Sequence, residues 1–200
     1  MLGLLPGSYG DKSWDNATMD NLMIRRLLET PDIEGILASP DEVIQAQAQK
    51  LVVDAMLNPL TALFRCETGE LFQHPRRLAL MLALLDEAAD IVRAMVPQAA
   101  LKSGDIMFAD ETLLGAVLRS AKLAGESKTP MLQDIEAGRP SEIDYINGYL
   151  VKQAEKLGLP GAHHQMLIAL VRQFRVVGND EIRSAFRLLN VQPTDARRVN

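Results

Sequence analysis

The chain is poor in residues that staple, stack or span. It has one cysteine, Cys66, among 200 residues. No disulfide can close within it, and a reducing compartment is the simplest setting. Aromatic residues make up 4%, and no basic block interleaved with aromatics is present to follow a nucleic acid. Acidic residues outnumber basic ones, 26 to 21, for a net charge of −5. That balance argues against nucleic-acid and anionic-membrane partners. The opening MLGLLPGSYG is too short and too broken by glycine and proline to be a signal peptide or a membrane span. The expectation is a cytoplasmic protein. Also missing are a fixed-period repeat, a sustained apolar/polar alternation bounded by hairpin turns, a GxGxxG following a strand and a GxxxxGK[ST] loop. Nothing local therefore binds a dinucleotide or a triphosphate.

What is present favours helices. Hydrophobic residues make up 48% of the chain, enough for a core. Leu and Ala lead them and Met is plentiful, which suits helix-on-helix packing. The predicted fold class is all-α. Residues 1–14 carry turn chemistry at Pro6, Gly7, Gly10 and Asp11. A helix over about 15–30 uses Leu22, Ile24, Leu27 and Leu28 and ends at Thr30-Pro31, because a residue before proline avoids the helical region. Ser39-Pro40-Asp41-Glu42 reads as a capping box with proline at the first helical position, opening a helix to about Phe64. Helical periodicity returns over 75–96, 110–124, 141–157 and 163–176, with a last helix over about 180–190. The predicted organisation is an irregular segment 1–14, a single helical domain 15–190 and a polar tail 191–200.

Two stretches carry candidate chemistry. In KLVVDAMLNPLTAL, Lys50, Asp54 and Asn58 recur every four residues and share one slowly drifting helical stripe. Val53, Leu57, Leu60 and Phe64 form an apolar one. Pro59 has no N–H, so the Ala55 carbonyl loses its helical partner and a kink is expected. The stripe is either an exposed Lys–Asp pair or the wall of a ligand cleft. In PMLQDIEAGRPSEIDYINGYL, Ser141 and Asp144 frame a helix start with Glu142 in its first turn, where the helix dipole favours a carboxylate. His163-His164 are adjacent, point in different directions and lack a third ligand, so no metal site is predicted. Cys66 has no local histidine to activate it and reads as a buried thiol.

Together, KLVVDAMLNPLTALFRCETGELFQHP and MLQDIEAGRPSEIDYINGYL resemble the C-terminal domain of ketopantoate reductase (2-dehydropantoate 2-reductase), in residues, order and spacing, with a spelling nearest to fungal members. The resemblance implies a helical domain like the C-terminal domain of 6-phosphogluconate dehydrogenase, dimerising in many members. It implies a substrate cleft shared with a Rossmann domain that binds NADPH. It also implies roles: Lys50 as general acid on the keto oxygen, Glu142 as a carboxylate contacting substrate, and Asn58 holding the substrate. Asp54 and Thr129 stand at or beside further substrate-binding positions.

Three departures stand out. The family's nucleotide-binding domain is not seen, and MLGLLPG resembles the strand that ends it, so no cofactor is expected on this chain. Asp54 replaces a usual asparagine, and Pro130 replaces a usual serine. An aspartate repels a substrate carboxylate, and a proline cannot donate to one. Three functions are consistent with this pattern. The chain could be the substrate-binding part of a keto-acid reductase, either as a fragment or working with a separate Rossmann-domain partner. It could be a cofactor-independent cyclase, dehydratase or pericyclase for a neutral secondary metabolite, with Lys50 as acid. It could be a non-catalytic dimerising relic. In the first two the partner is a small-molecule substrate, and a homodimer is expected.

Overall fold

A computed structural model describes residues 21–31, 36–97 and 108–186. Those residues form helices and turns and no β-strand, so the all-α expectation holds. In chain order the helices are α1 (Leu22–Glu29), α2 (Pro40–Phe64), a 3-10 turn (Thr68–Gln73), α3 (Pro75–Met95), α4 (Asp110–Ala124), α5 (Pro130–Glu136), α6 (Ile143–Leu157), α7 (Ala162–Arg172) and α8 (Ile182–Ala185). No helix among the described residues is long and apolar enough to cross a membrane. The predicted segments 1–14 and 191–200 lie outside the described residues.

The chain divides into two compact units. One comprises Met1–Ala48 with Val96–Gly104, the other Gln49–Met95 with Asp105–Asn200. In the first, the Asn21 side chain caps α1 through the Met23 and Ile24 amides. The start of α2 is closed as its sequence dictates: Glu42 accepts from the Ser39 amide at 2.7 Å and Ser39 Oγ accepts from the Glu42 amide at 3.3 Å.

The second unit holds the site. Its core joins Val52, Met56, Leu60 and Leu63 of α2 to Leu80, Leu84 and Ile91 of α3, Leu113 and Val117 of α4, Leu150 of α6 and Leu167 of α7, all buried. Helices α6 and α7 pack against each other. Gly158 makes the turn that lets them do so: it adopts φ +67°, and the Leu159 amide reaches back to the Ala154 carbonyl at 2.9 Å.

A buried carboxylate inside this core has its hydrogen bonds met. Both oxygens of Glu87 on α3 accept from the first turn of α7, from the His163 amide (3.2 Å), the His164 amide (3.0 Å) and His163 Nδ1 (3.0 Å). Burial alone pushes the Glu87 carboxyl up, but these hydrogen bonds outweigh it and hold its pKa below the usual value. A buried carboxylate thus caps α7, whose N-cap, Gly161, has no side chain to do so.

Sequence and structure differ at the starts of α6 and α5. The start of α6 is at Ile143 with Glu142 as its N-cap and no side-chain cap bond. Ser141 does not cap it, and Asp144 instead pairs with Arg172. Helix α5 had no separate prediction. Its start is legible in retrospect: Thr129 accepts from the Leu132 amide at 3.2 Å, with Pro130 at the first helical position.

Candidate functional site

Helix α2 continues through Pro59 without a break. Its polar stripe is half in water. Lys50 pairs with Asp54, the lysine side chain 74% and the aspartate 31% exposed. One turn on, Asp54 and Asn58 line a cavity of about 200 Å³ with the apolar Val53 and Leu57. The opposite lining comes from Thr68, from Ser120 on α4, and from the loop holding Ser127, Thr129 and Pro130. Asp54, Asn58 and Thr129, chosen from sequence, therefore meet at one cavity, with Lys50 joined to it through Asp54. Glu142 is exposed at the α6 N-cap and is not among the lining residues.

The 3-10 turn fixes the loop opposite α2. Thr68 Oγ1 donates to the Ser127 carbonyl at 3.0 Å, and the Gly69 amide to the Gly125 carbonyl at 3.1 Å. Lys128 in the same loop is held by both Glu136 oxygens at 2.9 Å.

The hydroxyl protons can be assigned. Thr61 Oγ1 lies 2.9 Å from the Leu57 carbonyl and 3.0 Å from that of Asn58. Carbonyls only accept, so the single Thr61 proton goes to them. Thr129 Oγ1, 2.7 Å from Thr61 Oγ1, must then be the donor of that pair. With its proton on Thr61 and one lone pair on the Leu132 amide, Thr129 can accept from a ligand but not donate to it. Donors on the cavity wall are left to the Asn58 amide, the hydroxyls of Ser120 and Ser127 and the ammonium of Lys128, which Glu136 holds. The serines and Thr68 escaped the sequence reading because only the fold brings α4 and its following loop opposite α2.

Behind the wall, the Ala55 carbonyl orphaned by Pro59 accepts from Asn147 Nδ2 of α6 at 2.9 Å. The same nitrogen lies 3.0 Å from His164 Nδ1, and His164 Nε2 lies 3.1 Å from the Leu84 carbonyl. Burial pushes the His164 pKa down to about 4, against the opposing pull of Glu87. The two histidines thus act in packing and capping. Among the described residues no group of three or more metal-ligating side chains is placed to hold a metal ion. Cys66 is buried, which pushes its thiol up to about 11 against the pull of Arg77, so it is a thiol and not a nucleophile at neutral pH.

Residues 42–175 match the family model described as Ketopantoate reductase PanE/ApbA C terminal. The chain belongs to this family. A 2-dehydropantoate 2-reductase of Archaeoglobus fulgidus is 32% identical over 123 residues, covering 62% of this chain and 38% of that protein. A ketoisovalerate reductase of Beauveria bassiana is 29% identical, covering 85% of this chain and 44% of that protein. The chain thus spans less than half the length of these curated relatives. Among solved structures, a probable 2-dehydropantoate 2-reductase from Bacillus subtilis matches with a TM-score of 0.57 at 30% identity, over 66% of this chain and 41% of that one. A dimeric ketopantoate reductase from Staphylococcus aureus matches in fold, TM-score 0.61 at 22% identity, over 78% and 52%.

Among the described residues no strand leads into a glycine-rich helix start, the arrangement that cradles a dinucleotide pyrophosphate.

Proposed function

We propose that the cavity beside Asp54 and Asn58 is the substrate wall of a 2-keto acid reductase, and that Lys50 supplies the proton taken up by the keto oxygen. The observation that carries this reading is convergence. Three residues picked from two distant motifs line one cavity, with the candidate acid one helical turn away. Its size suits a small substrate: about 200 Å³ is roughly six or seven water volumes and lies below the roughly 300–1,000 Å³ of drug-sized sites.

In this reading Asn58 orients the substrate with its amide. Lys50 leaves Asp54 to reach the substrate, at a cost of about 1 kcal/mol or less for so exposed a pair. Glu142, not used in capping its own helix, contributes a carboxylate to the substrate's distal end. The hydride donor, NADPH in the resemblance, is held by a nucleotide-binding domain outside these residues. The span 15–190 works as one substrate-binding and dimerising domain.

A second reading is favoured by the character of the wall. Asp54 brings a carboxylate, Pro130 has no N–H, and the Thr129 proton is committed to Thr61. With the Lys128 ammonium on the same wall already paired to Glu136, that wall suits a neutral metabolite converted without a cofactor, Lys50 again acting as acid. Calorimetric titration with ketoisovalerate and with its neutral amide separates the two. Tighter binding of the acid, weakened at least tenfold by Asn58→Ala, supports the reductase reading. Preference for the amide favours the second, and no binding of either sinks both.

A further inference from the structure

The Ala55 carbonyl lies between the two cavity-lining residues Asp54 and Asn58, where proline at 59 removes its helical donor. Asn147 replaces that donor from another helix, and its orientation is fixed from both sides. The Leu84 carbonyl can only accept, so His164 Nε2 carries the hydrogen and, in the neutral ring, Nδ1 is an acceptor. Asn147 therefore gives one amide hydrogen to Ala55 and the other to His164. Turning the amide over would set its oxygen against a carbonyl and a ring lone pair. Asn147 Oδ1 is left with no hydrogen-bond partner although the residue is completely buried. A buried amide with an idle acceptor and two committed donors is placed for donation. On the inward face of α6 it stands between Ile143 and Leu150, where an aliphatic side chain would complete an apolar stripe.

We propose that Asn147 is a positioning residue for the candidate site. By standing in for the missing amide of residue 59 it fixes the backbone between Asp54 and Asn58, and so sets how those two side chains are presented to the cavity. The reading of that cavity as a keto-acid site underlies this role.

The test compares Asn147→Leu, Pro59→Ala and the double variant with the unaltered chain. Backbone N–H residual dipolar couplings measure the orientation of residues 49–55 relative to 60–64, and calorimetry measures the Kd for ketoisovalerate. Pro59→Ala retains Asn147 and supplies a helical donor, so it stays informative if Asn147→Leu does not fold. The expected result is a reoriented pair of segments and a Kd raised at least tenfold in each single variant, with no recovery of the Kd in the double. Unchanged couplings and Kd in folded Asn147→Leu or in Pro59→Ala reduce Asn147 to packing and overturn the proposal. If the unaltered chain does not bind the probe, the keto-acid reading fails by itself. The couplings alone then decide positioning: altered orientation supports it, and unaltered orientation overturns it.

Discussion

One turn of α2 separates two polar arrangements of opposite kind. Lys50 and Asp54 meet at the surface, where water competes for both charges. Ala55, Asn147, His164 and Glu87 meet in the interior, where each hydrogen is directed at a particular acceptor. The exposed pair adds little to folding and is free to exchange partners. The buried set is costly to interrupt because a group left alone there keeps its full desolvation penalty. In the proposed reading the reactive lysine falls in the first arrangement, and the scaffold that positions its neighbours falls in the second.

Breaking the buried set at Glu87 has the largest expected effect. Glu87→Ala strips the cap from α7 and leaves His163 without its acceptor, for a loss of about 3 kcal/mol by urea denaturation. Acid acts nearly as strongly through His164. Its pKa falls from 6.5 to about 4 on folding, so the unfolded chain binds a proton that the folded chain refuses. This contribution is complete above pH 6.5, shrinks as pH drops from 6.5 to 4, and is worth about 3 kcal/mol at ~1.4 kcal/mol per unit. Glu87, with its pKa lowered, adds a further loss below its unfolded value of 4.5. Urea midpoints between pH 7 and pH 4 measure the sum, and His164→Leu should flatten the upper part of the curve. Thr61→Val is milder. It leaves the Thr129 proton without an acceptor and should lower stability by about 1–2 kcal/mol. The smallest effect is at the surface, where Lys50→Ala should change stability by a few tenths of a kcal/mol in the same assay.

How much of this was legible in the sequence follows the same division. Local rules sufficed for α2, whose capping box closes as Ser39 and Glu42 require, and for α4, whose bounds match the predicted 110–124. They marked Pro59 as the residue without a helical donor and named the carbonyl it orphans. They did not find its donor, because Asn147 lies 92 residues away and nothing in local spacing links the two. The signal was an asparagine in an apolar slot of α6, between Ile143 and Leu150, paired with a known carbonyl in need. Ser141 was misplaced as a cap because α6 begins with the Glu142 carbonyl, which accepts from the Tyr145 and Ile146 amides, and this was not evident from Ser-Glu-Ile-Asp alone. Asp54, Asn58 and Thr129 were chosen as site residues with Lys50 and Glu142. The fold gathers the first three at the cavity and leaves Glu142 outside its lining.

The central claim is that the exposed member of the α2 stripe does the chemistry. Its most direct test is turnover of ketoisovalerate or 2-dehydropantoate by Lys50→Ala, assayed with a nucleotide-binding domain of the family supplied. The prediction is a fall on the order of 100-fold or more with an unchanged unfolding midpoint. Undiminished turnover by a folded Lys50→Ala protein would contradict it.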